Sequence, residues 1–83
     1  MKITVRYFAS IREAIGTGHE VVDTPATTLG ALRDELIARG GAHASSLARG
    51  RAVRMALNQT LSDESAALAD GAEVAFFPPV TGG

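Results

Sequence analysis

The residues of this chain that could do chemistry stand at its end: Phe76-Phe77-Pro78-Pro79-Val80-Thr81-Gly82-Gly83. Two aromatic residues close what reads as a strand. Two prolines then forbid its continuation, because proline lacks the N–H a ladder needs and fixes φ near −65°. The reading is a stiff, extended spur leaving the sheet at Pro78 and Pro79. Val80 and Thr81 follow, then Gly82 and Gly83, which carry no side chain. From Pro78 to Gly83 the thread spans roughly 20 Å when extended, at about 3.3 Å per residue. It ends in a bare carboxylate, thin enough to enter a narrow channel.

A free carboxylate is a poor electrophile, since resonance and negative charge both oppose attack. It reacts only after activation, for which a mixed anhydride with AMP is one biological means. Terminal glycine lets an activating enzyme and a later nucleophile approach without meeting a side chain. Attack by a sulfide equivalent gives a thiocarboxylate. Attack by a lysine gives a protein conjugate. The residues leave both open.

Other chemistry is thin. The chain has two histidines, His19 and His43, and no cysteine. Neither histidine has clustered carboxylates near it in sequence, so both read as surface residues and no metal site is expected. The pairs Asp34-Glu35 and Asp63-Glu64 are adjacent and diverge on a helix, so they read as solvated faces. No phosphate-binding glycine loop or zinc-binding helix motif occurs.

Composition narrows the class further. Eighty-three residues make one domain, and 46% apolar with 20% charged residues is ordinary for a globular fold. Eight basic and nine acidic residues are scattered singly for a net charge of −1, which gives nucleic acid no electrostatic footprint. No apolar run suits a bilayer span and no signal-peptide pattern opens the chain, so the expectation is no membrane association and a cytoplasmic location.

The elements that must position the tail follow from periodicity. Residues 2–8 alternate, with Ile3, Val5 and Tyr7 on one face and Lys2, Thr4, Arg6 and Phe8 on the other, which predicts a strand with one buried face. Ser10-Ile11-Arg12-Glu13 reads as a capping box opening a short helix that Gly16 stops. Residues 19–23 read as a second strand, antiparallel to the first. Thr27-Thr28 offers an N-cap to the main helix, whose stripe is Leu29, Leu32, Leu36 and Ile37, with Arg33 off it. Gly40-Gly41 ends that helix, and residues 42–50 read either as a frayed helical turn or as a loop. A third strand covers 51–58, Asn58-Gln59-Thr60 a turn or bulge, and Leu61 a short edge strand. The last strand, 72–77, should bury Val74 and Phe76.

This order implies an α+β fold, a mixed sheet packed on one main helix, and allows the first and last strands to lie parallel and adjacent at its centre. That is the β-grasp, or ubiquitin-like, arrangement, with residues 1–77 as the domain and 78–83 as a flexible Gly-Gly tail. With those strands adjacent, Phe8 and Phe77 fall at corresponding ends of the face opposite Tyr7 and Phe76. Joined by Leu61, they would form an apolar patch at the root of the tail where a partner could grip.

Three segments resemble one known family, the small subunits of molybdopterin synthase. They are the run from Asp70 to Gly83, the opening Val5-Arg6-Tyr7-Phe8-Ala9-Ser10-Ile11-Arg12-Glu13, and Asn58-Gln59-Thr60-Leu61. The most specific element is the ending Phe-Phe-Pro-Pro-x-x-Gly-Gly. The resemblance implies a sulfur carrier that is not an enzyme on its own. In that family the glycine matching Gly83 is adenylylated by a separate adenylyltransferase of the ubiquitin-activating type, which uses ATP and Mg²⁺. It then becomes a thiocarboxylate and donates sulfur to cyclic pyranopterin monophosphate (precursor Z), two carriers being consumed per dithiolene. The resemblance also implies docking on the large, catalytic subunit through Phe8, Leu61 and Phe77, with Pro78, Pro79, Val80, Thr81 and Gly82 threaded into it. The implied assembly is a heterotetramer of two small and two large subunits, with no permanently bound cofactor. The rival readings are the sulfur carrier of thiamine synthesis, which lacks the insertion at 10–15, and a ubiquitin-like modifier joined to lysines.

Overall fold

The computed structural model of the protein describes residues 1–79; Val80, Thr81, Gly82 and Gly83 lie outside the described residues. In chain order the elements are β1 (Lys2–Tyr7), α1 (Ala9–Ile15), β2 (His19–Asp23), α2 (Leu29–Ala38), α3 (Gly41–Leu47), β3 (Arg54–Leu57), β4 (Thr60–Ser62) and β5 (Glu73–Phe77). The sheet order is β2-β1-β5-β3-β4. β1 runs antiparallel to β2 and parallel to β5, with Tyr7 opposite Phe76. β3 is antiparallel to both β5 and β4. The first and last strands thus lie together at the centre, the arrangement that the order of elements allows.

The two central strands drive their odd and even residues to opposite fates, because successive strand side chains point to opposite faces. Ile3, Val5 and Tyr7 of β1 and Val74 and Phe76 of β5 are buried beneath the helices. α2 lays Leu29, Leu32 and Leu36 on them, each essentially without exposure, and Leu47 of α3 closes the same layer. Thr28 caps α2, its hydroxyl accepting the Ala31 N–H at 3.2 Å. Gly16 ends α1 at φ 92°, where its N–H reaches the Arg12 carbonyl at 2.8 Å and a Cβ would be strained.

Four local expectations need correction. The Ser10–Glu13 capping box is absent: α1 begins at Ala9, its N-cap is Phe8 and no side chain caps it. The strand's last residue therefore feeds the helix directly, and Ser10 falls inside the first turn. Arg33 does not lie off the buried stripe but is 4% exposed. Its guanidinium donates to the carbonyls of Leu47 at 2.7 Å, Ala48 at 2.9 Å and Arg51 at 3.4 Å. The buried guanidinium is tolerated here because it is paired, supplying donors to the carbonyls of Leu47 and Arg51 and a second donor to that of Ala48, which also accepts the Arg51 N–H at 2.8 Å. His43 is not a surface residue: it sits on α3, with its ring edge-on to Tyr7 at 5.8 Å between centroids. Lastly, the third strand begins at Arg54, not at 51, since residues 48–51 are held by Arg33. The stretch 42–50, open between turn and loop, is mostly the helix α3.

Candidate functional site

The uncovered face of the sheet is built by the residues that alternate with the core. Cross-strand partners share a face, so the register sets Arg6 beside Ala75, Ala75 beside Ala56 and Ala56 beside Leu61. One step toward the tail, Phe77 stands beside Arg54. Phe8 continues β1 with extended backbone (φ −129°, ψ 156°) and gives its N–H to the Phe76 carbonyl at 3.2 Å. Its side chain therefore keeps the alternation and points away from the core, although the strand has ended.

The result is a concavity of about 750 Å³ whose lining includes Phe8, Ala9, Gln59, Phe77, Pro78 and Pro79, with Arg6 and Glu73 among its polar members. Phe8 is 40% exposed. The Arg6 guanidinium lies 5.5 Å from the centre of the Phe8 ring, a cation–π distance, and 3.5 Å from the Glu73 carboxylate. Leu61, 58% exposed, lies across Phe77 and shares a neighbouring depression with Arg54, Phe77 and Pro79. Phe8 and Phe77 thus line one hollow, and Phe77 with Pro79 joins it to Leu61. Pro78 and Pro79 are half-buried at its wall, where the chain leaves β5. Gly83, Gly82, Thr81 and Val80, the other predicted site residues, lie outside the described residues.

Arg54 and Ala56 alternate along β3 with Met55 and Leu57, which places them on this face. Gln59 gave no such signal, because a turn residue has no periodicity. It occupies a two-residue hairpin loop with Asn58, between Leu57 and Thr60, and both loop residues have positive φ. Ala9 was hidden for a different reason: its place depends on where α1 starts.

Beneath the sheet a second polar cluster belongs to stability. The Glu20 carboxylate accepts the Tyr7 hydroxyl at 2.8 Å and Arg39 Nη1 at 2.7 Å, and lies 3.0 Å from His43 Nε2. Partial burial works to raise the Glu20 carboxyl, but the hydrogen bonds from Arg39, His43 and Tyr7 outweigh it and hold it at about 2. Burial, followed by that same carboxylate, pushes the Tyr7 hydroxyl above its ordinary range. Among the described residues no three acidic or histidine side chains converge as a metal site would require. No described helix is long and apolar enough to cross a membrane.

A central parallel pair, a long helix across one face and a bare apolar hollow on the other define a ubiquitin-like domain of the β-grasp class. Residues 5–83 match the ThiS family. The molybdopterin synthase sulfur carrier subunit of Escherichia coli is 44% identical over 81 residues, covering 98% of this chain and 99% of that one. This chain belongs to the ThiS family, together with the molybdopterin synthase sulfur carrier subunits. Among solved structures, the complex of subunits 1 and 2 of the molybdopterin-converting factor from Helicobacter pylori contains a chain 28% identical, with full coverage of both chains and a TM-score of 0.71. SAMP1 from Haloferax volcanii is 27% identical with full coverage of both and a TM-score of 0.78.

Proposed function

We propose that this protein is the sulfur carrier subunit of a molybdopterin synthase, bearing its sulfur as a thiocarboxylate on Gly83. The observation that carries the reading is the hollow between Phe8 and Phe77, set where Pro78 and Pro79 carry the chain away from the sheet. A partner seated in that hollow is placed to receive whatever follows Pro79. The relatives named as sulfur carrier subunits and the solved two-subunit complex support the same reading.

In this account residues 1–77 are a docking body and 78–83 a delivery arm. Phe8, Leu61 and Phe77 grip the large subunit, and Pro78 to Gly82 thread the terminus into its active site. The Gly83 carboxylate is first activated as an acyl-adenylate by a separate adenylyltransferase of the ubiquitin-activating type, which uses ATP and Mg²⁺ and releases pyrophosphate. A sulfide equivalent then attacks the acyl carbon and AMP leaves, so the C–O bond to phosphate is exchanged for C–S. The thiocarboxylate sulfur attacks cyclic pyranopterin monophosphate in the large subunit, water then hydrolyses the resulting thioester so that the sulfur stays on the pterin and Gly83 returns to a carboxylate, and two carriers supply one dithiolene. In this reading catalysis rests with the large subunit. The assembly is two small and two large subunits, working in the cytoplasm.

Intact mass after incubation with ATP, Mg²⁺, the adenylyltransferase and a sulfur donor tests the proposal. The expected result is a gain of about 16 Da on Gly83, one oxygen replaced by sulfur, and loss of that gain on turnover with the large subunit and the pterin. Lysine-linked conjugates without any thiocarboxylate would establish a modifier instead. A thiocarboxylate that the large subunit does not discharge would point to another pathway, such as thiamine synthesis.

A further inference from the structure

Among the described residues, three that are not glycine hold left-handed backbone: Ala9 at φ 50°, Asn58 at φ 49° and Gln59 at φ 69°. In that region the Cβ crowds the following carbonyl, so the rest of the structure must impose the conformation. All three gather at one place. Ala9 and Gln59 line the hollow between Phe8 and Phe77. Asn58 is stitched to Glu73, another lining residue, its N–H reaching the Glu73 carbonyl at 2.8 Å and its Oδ1 accepting the Glu73 N–H at 2.9 Å.

Two of the three have a local reason. Asparagine tolerates left-handed backbone, and Asn58 uses its side chain to fix β3 against β5. Ala9 makes the corner at which extended Phe8 turns straight into α1. Gln59 has no such reason. It is the second central residue of a two-residue hairpin loop with both φ positive, the position where glycine fits best. Its carboxamide makes no hydrogen bond among the described residues, and it is exposed at the rim of an apolar hollow.

We infer that Gln59 is kept in a strained position for its side chain: its carboxamide pairs with a main-chain peptide group of the large subunit at the rim of the hollow. An amide side chain offers one donor group and one acceptor, the complement of a peptide N–H and C=O. Interfaces place such uncharged polar contacts around an apolar centre, here Phe8 and Phe77. The inference rests on the docking reading above and adds a specificity-determining residue to it.

Two variants test it, read by thermal melting of the full chain and by titration with the large subunit. Gln59→Gly relieves the backbone and removes the amide. It should raise the melting temperature by about 4–8 °C while weakening binding by roughly 3- to 10-fold. Gln59→Glu keeps the reach and the strain but removes the N–H₂ donors, so binding should weaken with the melting temperature unchanged. Phe8→Ala is the reference for docking itself. If Gln59→Gly binds as tightly as the parent while Phe8→Ala binds poorly, the docking reading stands and the role of Gln59 is overturned. If Phe8→Ala also binds normally, it is the docking reading that fails.

Discussion

The two faces of the central strand pair use neighbouring residues for opposite ends. Tyr7 and Phe76 point inward, almost fully buried, with rings stacked 18° from parallel at 6.3 Å. Phe8 and Phe77, each one residue further along the chain, point outward and line the open hollow. The inner pair has its polar handle satisfied by Glu20. The outer pair has the Arg6 guanidinium above Phe8 and Arg54 beside Phe77. Strand alternation couples the two: once Tyr7 is locked opposite Phe76, the positions of Phe8 and Phe77 are set without any contact of their own. The outer face therefore inherits its geometry from the core.

The largest test of that division sets Phe76→Ala against Phe8→Ala. Emptying the core position should cost about 3–5 kcal/mol of stability, a large part of what so small a domain has. Phe8→Ala should cost less than about 1 kcal/mol in stability, yet weaken binding of the large subunit by about 30-fold or more, as loss of a central aromatic anchor does. Urea denaturation and a binding titration on the same two variants check it. Equal destabilisation by both would mean that Phe8 belongs to the core and that the two faces are not separate.

What was legible in the sequence was what repeats. The period of two in residues 2–8 and 72–77 fixed both central strands, their buried residues and the outward Phe8 and Phe77. The spacing of Leu29, Leu32 and Leu36 fixed α2. What was not legible depends on groups far apart in the chain. Arg33 reads as an exposed residue because its partners, the carbonyls of Leu47, Ala48 and Arg51, belong to a stretch with no periodicity. His43 reads as a surface residue because Glu20, which meets it, lies 23 positions away. The Ser10–Glu13 motif misleads because β1 runs through Phe8 straight into α1, which puts Ser10 inside the first turn and not at the cap position.

Arg33 gives the second test, of intermediate size. Arg33→Met keeps the length and apolar stem but takes the donor from the Leu47 and Arg51 carbonyls, while Ala48 keeps the Arg51 N–H, which should cost about 2–3 kcal/mol. Amide exchange should rise over residues 47–53. Binding through the open face should hold, because Arg33 supports the helix side of the sheet. A loss of binding matching that of Phe8→Ala would show that the loop after α3 also shapes the docking surface.

Glu20 offers the smallest effect and the sharpest control, since pH removes it without a mutation. Its carboxyl sits at about 2 in the folded protein against an ordinary value of 4.5. A depressed folded value means that the unfolded chain binds the proton more readily, so acid favours unfolding. The stabilisation is fully present above about pH 4.5 and is lost as pH falls through about 2. Glu20 is partly solvated, so screening reduces the effect to about 1–2 kcal/mol. Glu20→Gln should therefore be less stable than the parent by that amount near pH 6 and nearly equal to it near pH 2, as denaturant midpoints at the two values would read. Its binding near neutral pH should match the parent, because the carboxylate touches Tyr7, Arg39 and His43 and nothing on the open face. A constant gap between the two proteins across that range would mean that Glu20 acts through packing alone and that its charge does not hold Tyr7 in register. In that case the core would be locked by the stacking of Tyr7 on Phe76, and the polar cluster would be only its cover.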